Sequence, residues 1–168
     1  MKRIDIGRLS DRYTVRRLGA EDAEAVFSLC RENTLYYRYS EQDAALDSVR
    51  KDLTVTPPGI PASQKYYVGF YDGGSLTAVM DLIDGYPDDR TAFIGFFMMR
   101  HDLQGAGTGS AIIARVLAYL KEAGYTVCRL GIDRDNPQSN HFWEKNGFRV
   151  IREIPREKGA VLLAERKL

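Results

Sequence analysis

Hydrophobic positions along the chain switch between a period of two and a period near 3.6, the signature of strands alternating with amphipathic helices. Residues 13–18 form a short β-rich run. Ala23, Val26, Phe27 and Cys30 then recur at helical spacing behind the acidic start Glu21-Asp22. Ala45, Leu46, Val49 and Leu53 make a second helical stripe, with Tyr36, Tyr37 and Tyr39 standing between the two helices. The stretch Thr56-Pro57-Pro58-Gly59-Ile60-Pro61 reads as a loop. Residues 66–71 and 76–83 are aromatic and β-branched runs around Asp72-Gly73-Gly74-Ser75, whose glycines admit the positive φ of a tight hairpin. After the turn Gly85-Tyr86-Pro87-Asp88-Asp89, residues 91–99 are almost continuously apolar, as in a central strand covered on both faces.

In the second half, Ile112, Ile113, Val116, Leu117 and Leu120 share one face of a helix that begins near Thr108 and stops at Gly124. Residues 125–132 form the next strand. Asn136-Pro137 pairs an N-cap residue with proline at the first helical position, and Asn146-Gly147 ends that short helix beyond Phe142 and Trp143. Residues 148–154 and 160–166 close the chain as strands. The order βαα, βββ, αβ, αβ, β gives an α/β fold with a mixed sheet carrying helices on its faces, and 168 residues suit a single domain spanning 1–168.

Composition narrows the class. With 44% hydrophobic and 28% charged residues, disordered, collagen-like and coiled-coil readings fall away. Lys and Arg (24) nearly cancel Asp and Glu (23), so bulk charge gives no reason to expect nucleic acid or an anionic membrane as partner. No segment approaches the ~20 apolar residues of a membrane span, residues 1–11 lack the apolar core of a secretory leader, and a cytoplasmic protein is expected. Cys30 and Cys128 stand far apart with no neighbouring thiol or His, so they read as buried small hydrophobes, and no metal is expected.

The distinctive chemistry lies in Gln104-Gly105-Ala106-Gly107-Thr108-Gly109-Ser110, between a buried strand and an amphipathic helix. Glycines let several backbone N–H groups face one anion, and the helix dipole adds its positive end, so phosphate or pyrophosphate is the natural occupant. A nucleotide P-loop would need Lys after Gly109, which is absent. A dinucleotide fingerprint would want Gly or Ala where Ser110 or Ile112 stands, although Asp133 imitates its ribose-binding acid. A glycine-rich turn without ligand is the third possibility.

Gln104-x-x-Gly107-x-Gly109 resembles the Q/R-x-x-G-x-G/A motif of the GNAT superfamily of acyl-CoA-dependent N-acyltransferases. The run from Asn136 through Gly147-Phe148 is similar to that family's N-x-x-(A/S)-x-x-(F/L)-Y-x-x-x-G-F segment. The resemblance implies a GNAT-like, largely antiparallel sheet of about seven strands with four helices on its faces. It also implies transfer of an acetyl group from acetyl-CoA to a primary amine, by direct attack in a ternary complex. The acceptor would be a small molecule or peptide, and a homodimer is common in the family.

By that resemblance the amides of Gln104, Gly105, Ala106, Gly107, Thr108 and Gly109 hold the pyrophosphate, Thr108 and Ser110 add hydroxyl contacts, and Met98 and Met99 contact the pantetheine arm by backbone. Met99 would also offer an N–H to the thioester oxygen; such donors are worth about 3–4 kcal/mol. Asn136 and Ser139 would complete the cofactor site. Core filling for the two methionines and a plain N-cap for Asn136 are the ordinary readings. Trp143 departs from the pattern, standing where the family commonly has a Tyr that protonates the leaving thiolate; an indole cannot do so. It would pack beside the cofactor. The missing acid keeps open a noncatalytic acyl-CoA-binding or sensor domain. His141 reads as a surface residue. The attacking amine needs a base, and no acid lies on residues 91–99, so Asp81 and Asp84 at the end of the third strand are the nearest acidic candidates, with Asp84 the expected base. Tyr37, Asp84 and Tyr86 are the expected acceptor contacts.

Overall fold

The computed structural model describes residues 4–168; residues 1–3, the start of the segment read above for a leader, lie outside the described residues. Seven strands form one sheet in the order β1-β2-β3-β4-β5-β7-β6. They are β1 Thr14–Arg17, β2 Lys65–Asp72, β3 Ser75–Asp84, β4 Thr91–Met99, β5 Val127–Asp133, β6 Arg149–Pro155 and β7 Ala160–Lys167. The β2–β3 hairpin turns through Gly73 at φ +60°, as the glycine pair requires. All neighbours are antiparallel except β4 and β5, which run parallel because a helical crossover joins them.

Five α-helices accompany the sheet, one more than expected: α1 Ala23–Arg31, α2 Thr34–Tyr39, α3 Leu46–Asp52, α4 Thr108–Glu122 and α5 Pro137–Lys145. The extra one is α2, the tyrosine stretch itself. Its residues favour strands and its start has no side-chain cap, so propensity does not announce it. Packing decides instead: the Tyr36 ring meets Tyr37 edge-on at 5.0 Å and Phe96 of β4 at 5.7 Å.

Strand alternation sorts the core into two layers. Val68, Phe70, Met80, Leu82 and Ile94 face Ile112, Ile113, Val116 and Leu120 of α4 together with Trp143 of α5. Tyr67, Val79 and Met98 face the other way, against Ala23, Val26 and Cys30 of α1 and Val49 of α3. Each such buried aliphatic or aromatic side chain contributes about 1.5–3 kcal/mol. Cys30 and Cys128 are free and buried, and burial pushes their thiols up to about 11 and about 12, out of the reactive range. No helix among the described residues is long and apolar enough to cross a membrane.

Candidate active site

β4 and β5 pair only from Thr91↔Val127 to Ile94↔Leu130. Beyond that point β5 keeps only β7, with which it pairs along its whole length from Val127↔Lys167 to Asp133↔Val161, and β4 and β5 part. The expectation that residues 91–99 are covered on both faces therefore fails in the middle: Gly95 is exposed, and Phe96 and Phe97 are half-buried. The opening is a cavity of about 450 Å³ lined by both diverging strands, the glycine loop and α5.

Register sets which backbone groups face the gap. Arg100 N–H donates to Thr77 O at 2.8 Å, so this antiparallel pair bonds directly and its neighbours alternate. Met98 therefore bonds toward β3, and the N–H and C=O of Phe97 and Met99 point toward the cleft. This corrects the backbone role expected of Met98, whose side chain lines the cavity while belonging to the α1–α3 core. The Met99 carbonyl, deprived of a strand partner, accepts from Gln104 Nε2 at 3.1 Å and Asn33 Nδ2 at 3.3 Å. Asn33, buried between α1 and α2, also donates to Leu29 O and accepts from Gln104. Sequence reasoning missed it, for an Asn at a helix junction reads as a turn residue.

The loop ahead of α4 puts Gly105 and Gly107 at φ +83° and +81°, with open space where a Cβ would stand. No side chain caps α4, so its first N–H groups are available to a ligand at the cavity edge. Gly109 serves a different need: a Cβ there would come within 3.2 Å of Phe142 and 3.4 Å of Met99. Gln104, Gly105, Gly107, Gly109 and Ser110 line the cavity, while Ala106 and Thr108 sit in the same loop off its wall. Ser110 accepts from Asn146 Nδ2 at 3.1 Å, which ties α4 to the end of α5.

Ser139, His141, Phe142 and Trp143 bring α5 to the cavity. His141 is exposed at its rim. Trp143 is 8% exposed and packs edge-on against Phe97, Phe142 and Phe148. Asn136 does not reach the cavity wall. It is fully buried, with Oδ1 accepting from Ser139 N–H at 3.2 Å as the α5 N-cap.

A second cavity of about 350 Å³ shares Tyr36, Gly95, Phe96 and Asp133 with the first. Tyr37 lines it, as do the carboxylates of Glu41, Asp43, Asp52, Asp81 and Asp133, against one lining cation, Arg156. Arg156 binds Asp133 at 2.7 Å and donates to Tyr39 O at 2.9 Å, so the β6–β7 turn pins the end of α2 beside the cavity. Burial pushes the Asp52 carboxyl above the usual carboxylate range, against the pull of Lys65 and Lys51. No sequence signal joined these acids, because they come from four separate segments.

Asp84 and Tyr86 line neither cavity. Asp84 is fully buried and accepts from the Tyr125 hydroxyl, and Tyr86 packs on Phe93 at 5.3 Å. The expected base and acceptor contacts at Asp84 and Tyr86 are thereby corrected: strand alternation turns Asp84 toward the α4 layer, and the turn carries Tyr86 past the closed end of β4. Among the described residues no group of three or more His, Cys, Asp or Glu side chains could hold a metal ion.

Solved structures share this architecture. An acetyltransferase from Thermus thermophilus superposes with a TM-score of 0.72 at 21% identity, covering 92% of this chain and 96% of that one. PaiA N-acetyltransferase from Thermoplasma acidophilum, in complex with coenzyme A, gives 0.66 at 16% identity, covering 92% and 98%. A spermidine N-acetyltransferase SpeG chimera from Vibrio cholerae and hSSAT gives 0.70 at 18% identity, covering 94% and 96%. No curated protein matches in sequence. A model of the acetyltransferase (GNAT) family matches residues 26–148. A cleft between two parting parallel strands, a glycine loop opening a helix and a family match over well over half of the sequence agree: the chain belongs to the acetyltransferase (GNAT) family.

Proposed function

We propose that the chain transfers an acetyl group from acetyl-CoA to a primary amine, by direct attack of the amine in a ternary complex held across the two cavities. The observation that carries this reading is the parting of β4 from β5 beside an uncapped helix N-terminus. The residues fit such a ligand. The loop amides from Gln104 to Ser110, including those of Ala106 and Thr108, lie where a pyrophosphate would meet the α4 dipole. The N–H and C=O of Phe97 and the N–H of Met99 can pair with the amides of a pantetheine arm as a strand would. Met98 adds its side chain, and Ser139 and Trp143 form the opposite wall. When bound, acetyl-CoA supplies a thioester carbonyl open to an amine.

The cavities meet at Gly95 and Phe96, so the acyl end belongs there, and the nearest cleft-facing amide is that of Phe97 rather than Met99. It donates to the carbonyl oxygen as negative charge develops. Trp143 excludes water but cannot release a proton, so the thiol, with a pKa near 8.5 in free form, leaves as thiolate. The acid-rich second cavity supports a small-molecule amine that arrives as a cation, with Tyr37 in its wall. The spermidine N-acetyltransferase among the structural neighbours is consistent with that class of acceptor.

Thermal unfolding tests the reading first. Acetyl-CoA at about 100 times Kd adds roughly 2.7 kcal/mol and raises Tm, whereas NAD leaves it unchanged. Thiol release with a panel of amines then separates turnover from mere binding. No shift with acetyl-CoA, or no thiol release with any amine, defeats the proposal.

A further inference from the structure

β4 carries no acid, yet one carboxylate reaches its exposed middle from the strand beside it. Asp81 of β3 pairs with Phe96 at the point where the β3–β4 register shifts, leaving Gly95 as the extra residue. A Cβ on Gly95 would stand 2.8 Å from Asp81 Oδ2, so the glycine vacates the space that the carboxylate fills. Asp81 and Gly95 both line the second cavity, and Gly95 lines the first as well. Lys65 Nζ, itself 4% exposed, donates to Asp81 Oδ2 at 2.8 Å and fixes the group. Oδ1 is buried and has no hydrogen-bond partner among the described residues.

We infer that Asp81 is the proton acceptor of the reaction, its Oδ1 taking the proton of the attacking amine where the two cavities join; this rests on the acyl-transfer reading above. The bound ammonium gives one proton to Oδ1, and the neutral amine so formed makes its N–C bond to the acyl carbon as the nitrogen's second proton passes to water. The C–S bond breaks with its electron pair on sulfur, the thiolate takes a proton from water, and Asp81 returns its own to solvent. The other carboxylates suit this work less. Glu41 and Asp43 are exposed on the α2–α3 loop, and Asp133 is held by Arg156.

Groups facing Asp81 are Lys65 and Tyr67 from β2 and Asp52 from α3, with Glu41, Asp43, Asp133 and Arg156 across the cavity. Burial pushes the Asp81 carboxyl above the usual carboxylate range, Lys65 pulls it down and Asp52 pushes it further up. A carboxylate so raised accepts a proton more readily near neutral pH.

The experiment is Asp81→Asn, assayed by thiol release with acetyl-CoA and whichever of putrescine, spermidine, lysine or a peptide N-terminus the wild type turns over fastest. Expected are a kcat at neutral pH lower by about 100-fold, an unchanged acetyl-CoA thermal shift and a rate that climbs with pH as solvent deprotonates the amine. Gly95→Ala, which displaces the carboxylate without altering it, lowers kcat by about tenfold with cofactor binding kept, and it decides the matter if Asp81→Asn does not fold. Wild-type kcat and pH profile in Asp81→Asn, or in Gly95→Ala where that variant decides, overturn the inference and leave acyl transfer standing. Absence of turnover in the wild type overturns the underlying reading instead.

Discussion

Two carboxylates three residues apart on β3 lead opposite lives. Asp84, at the closed end where β4 still pairs with β5, is sealed against Tyr125 and faces the α4 layer. Asp81 faces the α1–α3 side and opens onto a cavity beside Gly95. An odd separation along a strand reverses the face, so neighbours in sequence answer to different layers. The first belongs to the stability of the fold and the second to its chemistry, and substitution can pull the two apart.

Asp84→Ala gives the largest expected effect on the closed end. It removes the acceptor of the Tyr125 hydroxyl and leaves a hole, costing about 2–3 kcal/mol and lowering Tm by roughly 4–12 °C in calorimetry. The kcat of the folded fraction stays at the wild-type value, and a parallel loss of kcat would break the contrast. Asn33→Ala acts at the open end, where it takes donors from Leu29 O and Met99 O. It costs about 1–2 kcal/mol and raises the KM for acetyl-CoA more than it lowers kcat.

The smallest effect sharpens the electrostatic side of the comparison. Burial pushes the Asp22 carboxyl up, but Arg16 and the Gly19 amide outweigh it and hold the group below its ordinary value. A lowered folded pKa gives stability that is present above the unfolded pKa and lost as pH falls through the folded one. Asp22→Asn therefore loses less than about 1 kcal/mol near neutral pH and flattens the acid limb of a Tm-against-pH series. Asp81 runs the other way: its raised value favours folding in acid, and that contribution fades as pH rises through the folded pKa.

Periodicity, turn chemistry and caps carried most of the fold into view. The hairpin at Gly73, the α4 stripe and the Asn136-Pro137 start are local signals that packing left in place. Helix α2 was hidden, because its strand-favouring tyrosines become helical only against Phe96. The glycine loop was legible as an anion cradle since its chemistry is contiguous. The acid-lined cavity was not, being assembled from α2–α3, α3, β3, β5 and β6–β7 by tertiary contact alone. Asp84 misled for a related reason, since distance from a strand's end was read where parity mattered.

The seam between β4 and β5 holds a further consequence, visible in amide exchange. Four residue pairs, Thr91↔Val127 to Ile94↔Leu130, are all the ladder that links the β1–β4 half of the sheet to the β5–β7–β6 half. Each half is a continuous hydrogen-bonded ladder, and past Ile94↔Leu130 only the core they share under α4 holds the two together. Whatever lies along the cleft in register with Phe97 and Met99 splices the two ladders, so occupancy slows amide exchange at the N–H groups that face the gap.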